Sequence, residues 1–285
     1  MRLRGRHWFS KTGLWIGLAF LYIPIVSMIF FSFNNSRLVT VWDAPNSPTL
    51  KWYGELFRND QILGAAWLSV RIAAMTATGA VILGTLAGLV LARFGPFRGR
   101  AMLSGMTTAP LVMPEVITGL SLLLLFVALQ QLIGWPATRD ATTITIAHIT
   151  FSMAYVTIVV QSRLAGFDNS LEEAALDLGA KPAKVFFRIT LPLIVPAILS
   201  GWLLAFTLSW DDVVVSQFVA GPGSTTLPMV VFSKVRLGVS PDVNALATIM
   251  VLIVAVGVAI SAVWMRRQER RREREMQMAA AANNK

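Results

Sequence analysis

Three carboxylates stand in surroundings that tolerate them poorly. Glu115, Asp211 and Asp212 each fall within a long run of apolar residues. An ionisable side chain at the centre of a bilayer costs about 2.5 to 3.5 kcal/mol on insertion scales, so each requires a compensating partner. A like-charged cluster of this kind attracts a cation, above all one with amines at both ends, and is relieved by binding it. A blander reading stays open, in which the Asp pair caps a helix at the membrane surface and Glu115 pairs with Arg71. His148 has no second His, Cys or spaced carboxylate near it in sequence, so it reads as a hydrogen-bonded packing residue, with no ligand set for a metal. There is no cysteine, which excludes thiol nucleophiles, zinc-thiolate sites and disulfides. Without a Gly-Lys dipeptide there is no phosphate-binding P-loop, and no nucleophile and base stand at a usable spacing. The residues are those of a passage, not of a catalyst.

The elements that must hold these acids follow from composition. Of the 285 residues 55% are hydrophobic and 14% charged, far from the balance of a soluble domain. A hydrocarbon core of about 30 Å needs about 20 apolar residues per helix. Six segments meet or approach that length: 13–33, 67–92, 101–129, 142–160, 194–220 and 243–265. The expected fold is therefore an all-α integral membrane protein with six transmembrane helices. The first apolar run, although it follows basic residues, is too long for a secretory signal and lacks an A-x-A site, so it reads as a retained helix.

Lys and Arg are divided unequally between alternate connections, with eighteen on one side, six on the other and Arg71 within a span. Because basic residues are retained on the cytoplasmic side, both termini are expected there. The net charge of +10 then reflects membrane sidedness, and the expected surroundings are a lipid bilayer, with no nucleic acid. Residues 266–285, with six Arg and three Glu in their first ten positions, read as a solvated cytoplasmic tail. Trp8, Trp15, Trp67, Trp135 and Trp264 fall near the ends of spans, where an indole anchors at the interface. Residues 46–61 mix aromatic and charged positions in an amphipathic pattern suited to a lipid surface or a docking protein.

The connection 161–193 is too long for a simple turn. Ser170 and Glu173 have the spacing of a capping box, and Gly179 stands where a helix over the intervening residues would end. A second short helix is expected from Lys181-Pro182, with Val185, Phe186 and Ile189 as an apolar stripe that either a partner or the membrane domain itself must cover.

The same connection carries Glu173-Ala174-Ala175, three residues, Gly179, nine residues, Ile189, one residue and Leu191-Pro192. This resembles the EAA loop of the permease subunits of ABC importers of type I. Residues 109–119, the Ser209-Trp210-Asp211-Asp212 stretch and the Gly221-Pro222-Gly223 to Thr226-Leu227-Pro228 stretch resemble the polyamine branch of that family, the permeases of putrescine importers in particular. Glu115 departs from the Asp expected there, but the carboxylate is kept.

The resemblance implies the type I importer permease fold in a bacterial inner membrane, with segment 1–66 preceding a transmembrane domain at 67–265. It implies that the EAA loop forms a cytoplasmic coupling helix seated on an ATPase subunit through Glu173, Ala174, Ala175, Gly179, Ile189, Leu191 and Pro192. It further implies a homologous second permease subunit, two ATPase subunits that bind the ATP, no cofactor in this chain, and a periplasmic polyamine-binding protein. Glu115, Asp211 and Asp212 would line the path of putrescine or spermidine. The competing reading is a self-contained secondary transporter or channel for organic cations, using the same acids. The long loop and the lack of an internal repeat weigh against it.

Overall fold

The computed structural model describes residues 4–38, 41–168, 170–238 and 240–283. In chain order the helices are α1 (Arg4–Phe31), α2 (Lys51–Leu56), α3 (Asp60–Arg93), α4 (Arg100–Val112), α5 (Glu115–Ile133) and α6 (Ala141–Ala165), followed by α7 (Ser170–Asp177), α8 (Pro182–Val185), a π-helical turn (Phe186–Thr190) and α9 (Leu191–Trp210). The chain continues through α10 (Val214–Val219), α11 (Leu227–Leu237) and α12 (Pro241–Asn283). Among the described residues six helical stretches are long and apolar enough to cross a membrane: Lys11–Phe31, Asp60–Arg93, Glu115–Ile133, Ala141–Ala165, Pro182–Trp210 and Pro241–Arg267. The all-α fold with six spans is as expected from the apolar runs.

Two of the expected spans are built differently. The run 101–129 is not one bent helix, because the chain is extended at Met113 (φ −80°, ψ 134°) and Pro114 (φ −57°, ψ 135°). A proline disfavours the helical conformation of the residue before it, so Pro114 ends α4 at Val112 and starts a new helix at Glu115. Pro110 stays within α4. The run 194–220 begins earlier, as a helical stretch from Pro182, and stops at Trp210. Asp212 accounts for the stop, since its side chain takes the amides of Val215 and Ser216, at 3.2 and 2.7 Å, that a continuous helix would use.

The contacts divide the chain into two compact units. One contains residues 1–59 and 234–285. Within it α12 packs on α1 and α2. Asn34, 1% exposed, gathers the segment after α1: its side-chain amide donates to the carbonyls of Leu38 and Val41, and its oxygen accepts from the amides of Ser36 and Asp43. Trp52 Nε1 donates to the Asn34 carbonyl at 2.6 Å, and α2 buries Trp52 and Leu56. The aromatic face expected to meet lipid or a docking protein is thus partly spent inside the chain, while Phe57 remains exposed. The side chain of Trp264 and those of 271–285 lie outside the described residues.

The other unit, residues 60–233, holds the helices that carry the acids and the loop. Its centre is α3 against α6 and α9. Lipid tails are as apolar as Leu, so membrane helices associate through close packing of small residues. Gly84 shows how close the packing is: a Cβ there would lie 2.7 Å from Val156 Cβ and 2.9 Å from the Met153 carbonyl oxygen. Because one of those neighbours is backbone, Gly84→Ala is expected to cost about 1 to 3 kcal/mol by overpacking. Thermal unfolding of the solubilised protein checks this against Gly64→Ala, where nothing lies within 4 Å of the added carbon and no loss is expected. A Gly84→Ala protein as stable as the control would contradict it.

Candidate functional site

The two helix breaks meet. Glu115 heads α5, and Asp211 and Asp212 occupy the gap between α9 and α10, which packs on α5 and α6. All three acids line one cavity of about 340 Å³, together with Pro110, Met113, Thr118, Phe151, Tyr155 and the start of α10. What the three acids share is a chamber.

Within it the acids are not equivalent. The Glu115 carboxylate sits in the first turn of α5, where the positive end of the helix dipole favours it. Among the described residues it makes no ion pair, with Arg71 or any other. Asp211 is likewise exposed, and its backbone amide closes α9 by donating to Thr207. Asp212 is committed to the fold. Its side chain is 6% exposed, caps the first turn of α10 and faces His148.

His148 is fully buried in α6. A carboxylate only accepts hydrogen bonds, so His148 Nε2–H donates to Asp212 Oδ2 at 3.1 Å. The same nitrogen lies 3.1 Å from Ser216 Oγ, and Nδ1 lies 2.7 Å from Ser209 Oγ. The histidine joins α6, α9 and α10 at the point where the polypeptide leaves helical geometry. This is the hydrogen-bonded packing role expected of it, extended to Asp212.

Phe151 and Tyr155 escaped the sequence reading. They follow His148 on α6 at i+3 and i+7, the spacing that puts residues on one helix face. That spacing was the available signal. Carboxylates beside aromatic faces form a chamber suited to an ammonium group, held by charge at the acids and by cation–π attraction at the rings.

The loop between α6 and α9 holds the second set of residues. Glu173, Ala174 and Ala175 lie in α7, with Glu173 and Ala174 exposed. The capping box is not formed as expected, because Ser170 is already helical and its amide donates to Asp168 Oδ1 at 2.9 Å; Asn169 lies outside the described residues. The Ser170 amide and hydroxyl hold the Asp168 carboxyl below its usual range. The far end matches expectation. Gly179 has φ +79°, the Ala180 amide donates to Ala175 O and the Gly179 amide to Leu176 O. These are the paired bonds of a Schellman stop, in which glycine takes the left-handed position.

Beyond Gly179 the expected short helix continues directly into α9. Pro182 opens α8, and the π turn 186–190 precedes Leu191 and Pro192. Pro192 supplies no amide to the Arg188 carbonyl, and the wider turn, in which the Leu191 amide reaches Phe186 O, accommodates its ring. Val185 is buried, Phe186 and Ile189 are half-buried, and Leu178 and Phe187 are exposed. The chain itself covers much of the stripe that a partner was one candidate to cover.

The comparisons with known proteins agree with this architecture. Residues 80–274 match the family model described as the binding-protein-dependent transport system inner membrane component. The chain is 61% identical over 237 residues to the putrescine transport system permease protein PotI of Escherichia coli K12, covering 83% of each. It is 44% identical over 235 residues to the spermidine/putrescine transport system permease protein PotC of the same strain, covering 82% of this chain and 85% of that protein. A chain of a bacterial ABC transporter that imports the acidic polysaccharide alginate shares the fold, with TM-score 0.68 at 16% identity over 92% of this chain and 97% of the other. A chain of the MetNI methionine ABC transporter shares it less fully, with TM-score 0.56 at 14% identity over 70% and 92%. With six helices long enough to cross a membrane and a family model spanning most of the chain, the protein belongs to the inner membrane components of binding-protein-dependent transport systems.

Proposed function

We propose that the chain is a permease subunit of an ATP-driven polyamine importer and that the cavity between α5, α6 and α9 receives an ammonium group of putrescine or spermidine. The observation that carries this reading is the convergence of Glu115 and Asp211, both open to the cavity, with the rings of Phe151 and Tyr155. A diammonium chain satisfies what an acidic chamber in low dielectric requires. Asp212 serves the same chamber indirectly, by holding the α9–α10 gap in which Asp211 stands. In this assignment both termini face the cytoplasm of a bacterial cell, and a homologous permease completes the passage. Two ATPase subunits bind and hydrolyse the nucleotide, and a periplasmic binding protein delivers the substrate. ATP-dependent accumulation of labelled putrescine or spermidine by vesicles containing the copurified complex supports the reading. A complex that hydrolyses ATP and accumulates neither overturns it.

The loop is the coupling element in the same proposal. Glu173, Ala174, Ala175 and Gly179 shape and present α7 to the ATPase, while Ile189, Leu191 and Pro192 join it to α9. Gly179→Val is expected to leave the protein in the membrane and to reduce ATPase association and import together. A β-branched side chain at φ +79° is strained by about 1 kcal/mol or more, and the strain is relieved by redirecting the chain after α7. Copurification of the ATPase and uptake are the measurements, and normal values of both refute the role.

A further inference from the structure

The cytoplasmic-loop helix α7 is held in an unusual way: it touches α8 and the π turn, but none of its eight residues is fully buried, so apolar packing holds it only lightly. Its tie to the rest of the unit is Glu172, the residue before the Glu-Ala-Ala triplet. Glu172 Oε1 accepts from two other elements at once, Arg93 Nη2 in the last turn of α3 at 3.2 Å and Thr190 Oγ1 at the end of the π turn at 2.6 Å. Both charged side chains are 20% exposed, enough shelter to limit screening. Each also suits its helix, since the carboxylate lies in the first turn of α7 and the guanidinium in the last turn of α3. Arg93 is backed by the ring of Phe167, 5.3 Å from its centroid. Thr190 is 5% exposed and stands where the wider turn resets the helix before α9, so its hydroxyl is aimed at α7 by the same π turn that accommodates Pro192.

We propose that Glu172 is a positioning residue that locks α7 to the foot of α3 and the foot of α9, so that movement of α7 is passed to both helices at once. Without this lock α7 keeps its contacts with α8 and the π turn but loses its direct tie to the foot of α3, so its movement reaches α3 less fully. The role rests on the reading of this loop as the ATPase-coupling element. It differs from the contact role assigned to Glu173, because Glu172 faces its own chain.

The test uses the whole complex in vesicles and measures labelled putrescine imported per ATP hydrolysed. Glu172→Ala is expected to assemble normally and to lower that ratio about tenfold, within the usual range of coupling between sites. Glu172→Gln, which keeps the Thr190 bond and loses the charge, is expected to fall between. Exchanging the charges, Glu172→Arg with Arg93→Glu, is expected to recover part of the ratio, and an exchange no better than the single variants overturns the pairing. A wild-type ratio in Glu172→Ala overturns the lock itself. Should the unaltered complex hydrolyse ATP without accumulating putrescine, the substrate reading fails and the lock is judged on hydrolysis alone. Stimulation by the loaded binding protein is then expected to disappear in Glu172→Ala, and unchanged stimulation overturns the proposal.

Discussion

Replacing Asp211 by Asn together with Glu115 by Gln is expected to slow uptake of labelled putrescine at least about 100-fold while the assembled complex stays at its normal level. Each carboxylate is open to the cavity and offers a charge-assisted bond of about 1.5 to 3 kcal/mol to an ammonium group, so losing two removes about 3 to 6 kcal/mol. Neutral side chains also insert into a bilayer more readily than charged ones, so misfolding does not explain the loss. Uptake measured beside the amount of complex decides the matter. Near-normal import by the double variant refutes the acidic chamber, because a carboxylate that merely caps a helix in water is replaced by Asn at little cost.

Asp212 separates from that pair, and the second large effect lies there. His148→Leu is expected to destabilise the protein by about 3 to 5 kcal/mol, since it leaves a nearly buried carboxylate without its imidazole partner. Ser209 loses its ring-nitrogen partner in the same step. Adding Asp212→Asn to His148→Leu is expected to regain part of the loss, because the uncompensated charge goes while the single Asn oxygen still accepts from one of the two α10 amides. Thermal unfolding of the solubilised complex for both single variants and the double variant gives the coupling. A His148→Leu protein within about 0.5 kcal/mol of the original would remove the network from the account of the fold, that being the spread of substitutions away from special features.

Some of the architecture was legible because its cause is local. Each span announces itself by length and hydropathy, since hydrocarbon about 30 Å thick imposes that length on the segment regardless of its neighbours. Gly179 was readable for a similar reason: a left-handed helix stop depends on one residue's own backbone, and glycine takes that conformation without penalty. The run 101–129 reads as one span and is broken completely at Pro114, because a sequence places the proline without stating how far the chain turns after it.

What required the tertiary structure is the partition of roles among residues of like type. Asp211 and Asp212 are neighbours of identical chemistry, and only the arrival of His148, 64 positions before Asp212, commits one to the fold and leaves the other facing the cavity. Glu172 and Glu173 divide in the same way, because Arg93, 79 positions away, meets the first and not the second. Sequence by itself determined the solvent of the chain, the number of spans, the family motif and the set of acids to consider, all of which depend on composition and short spacing. The three-dimensional packing decided which acid is bound and which is free, since hydrogen-bond partners distant in the chain are chosen by how helices cross and not by the residues beside them.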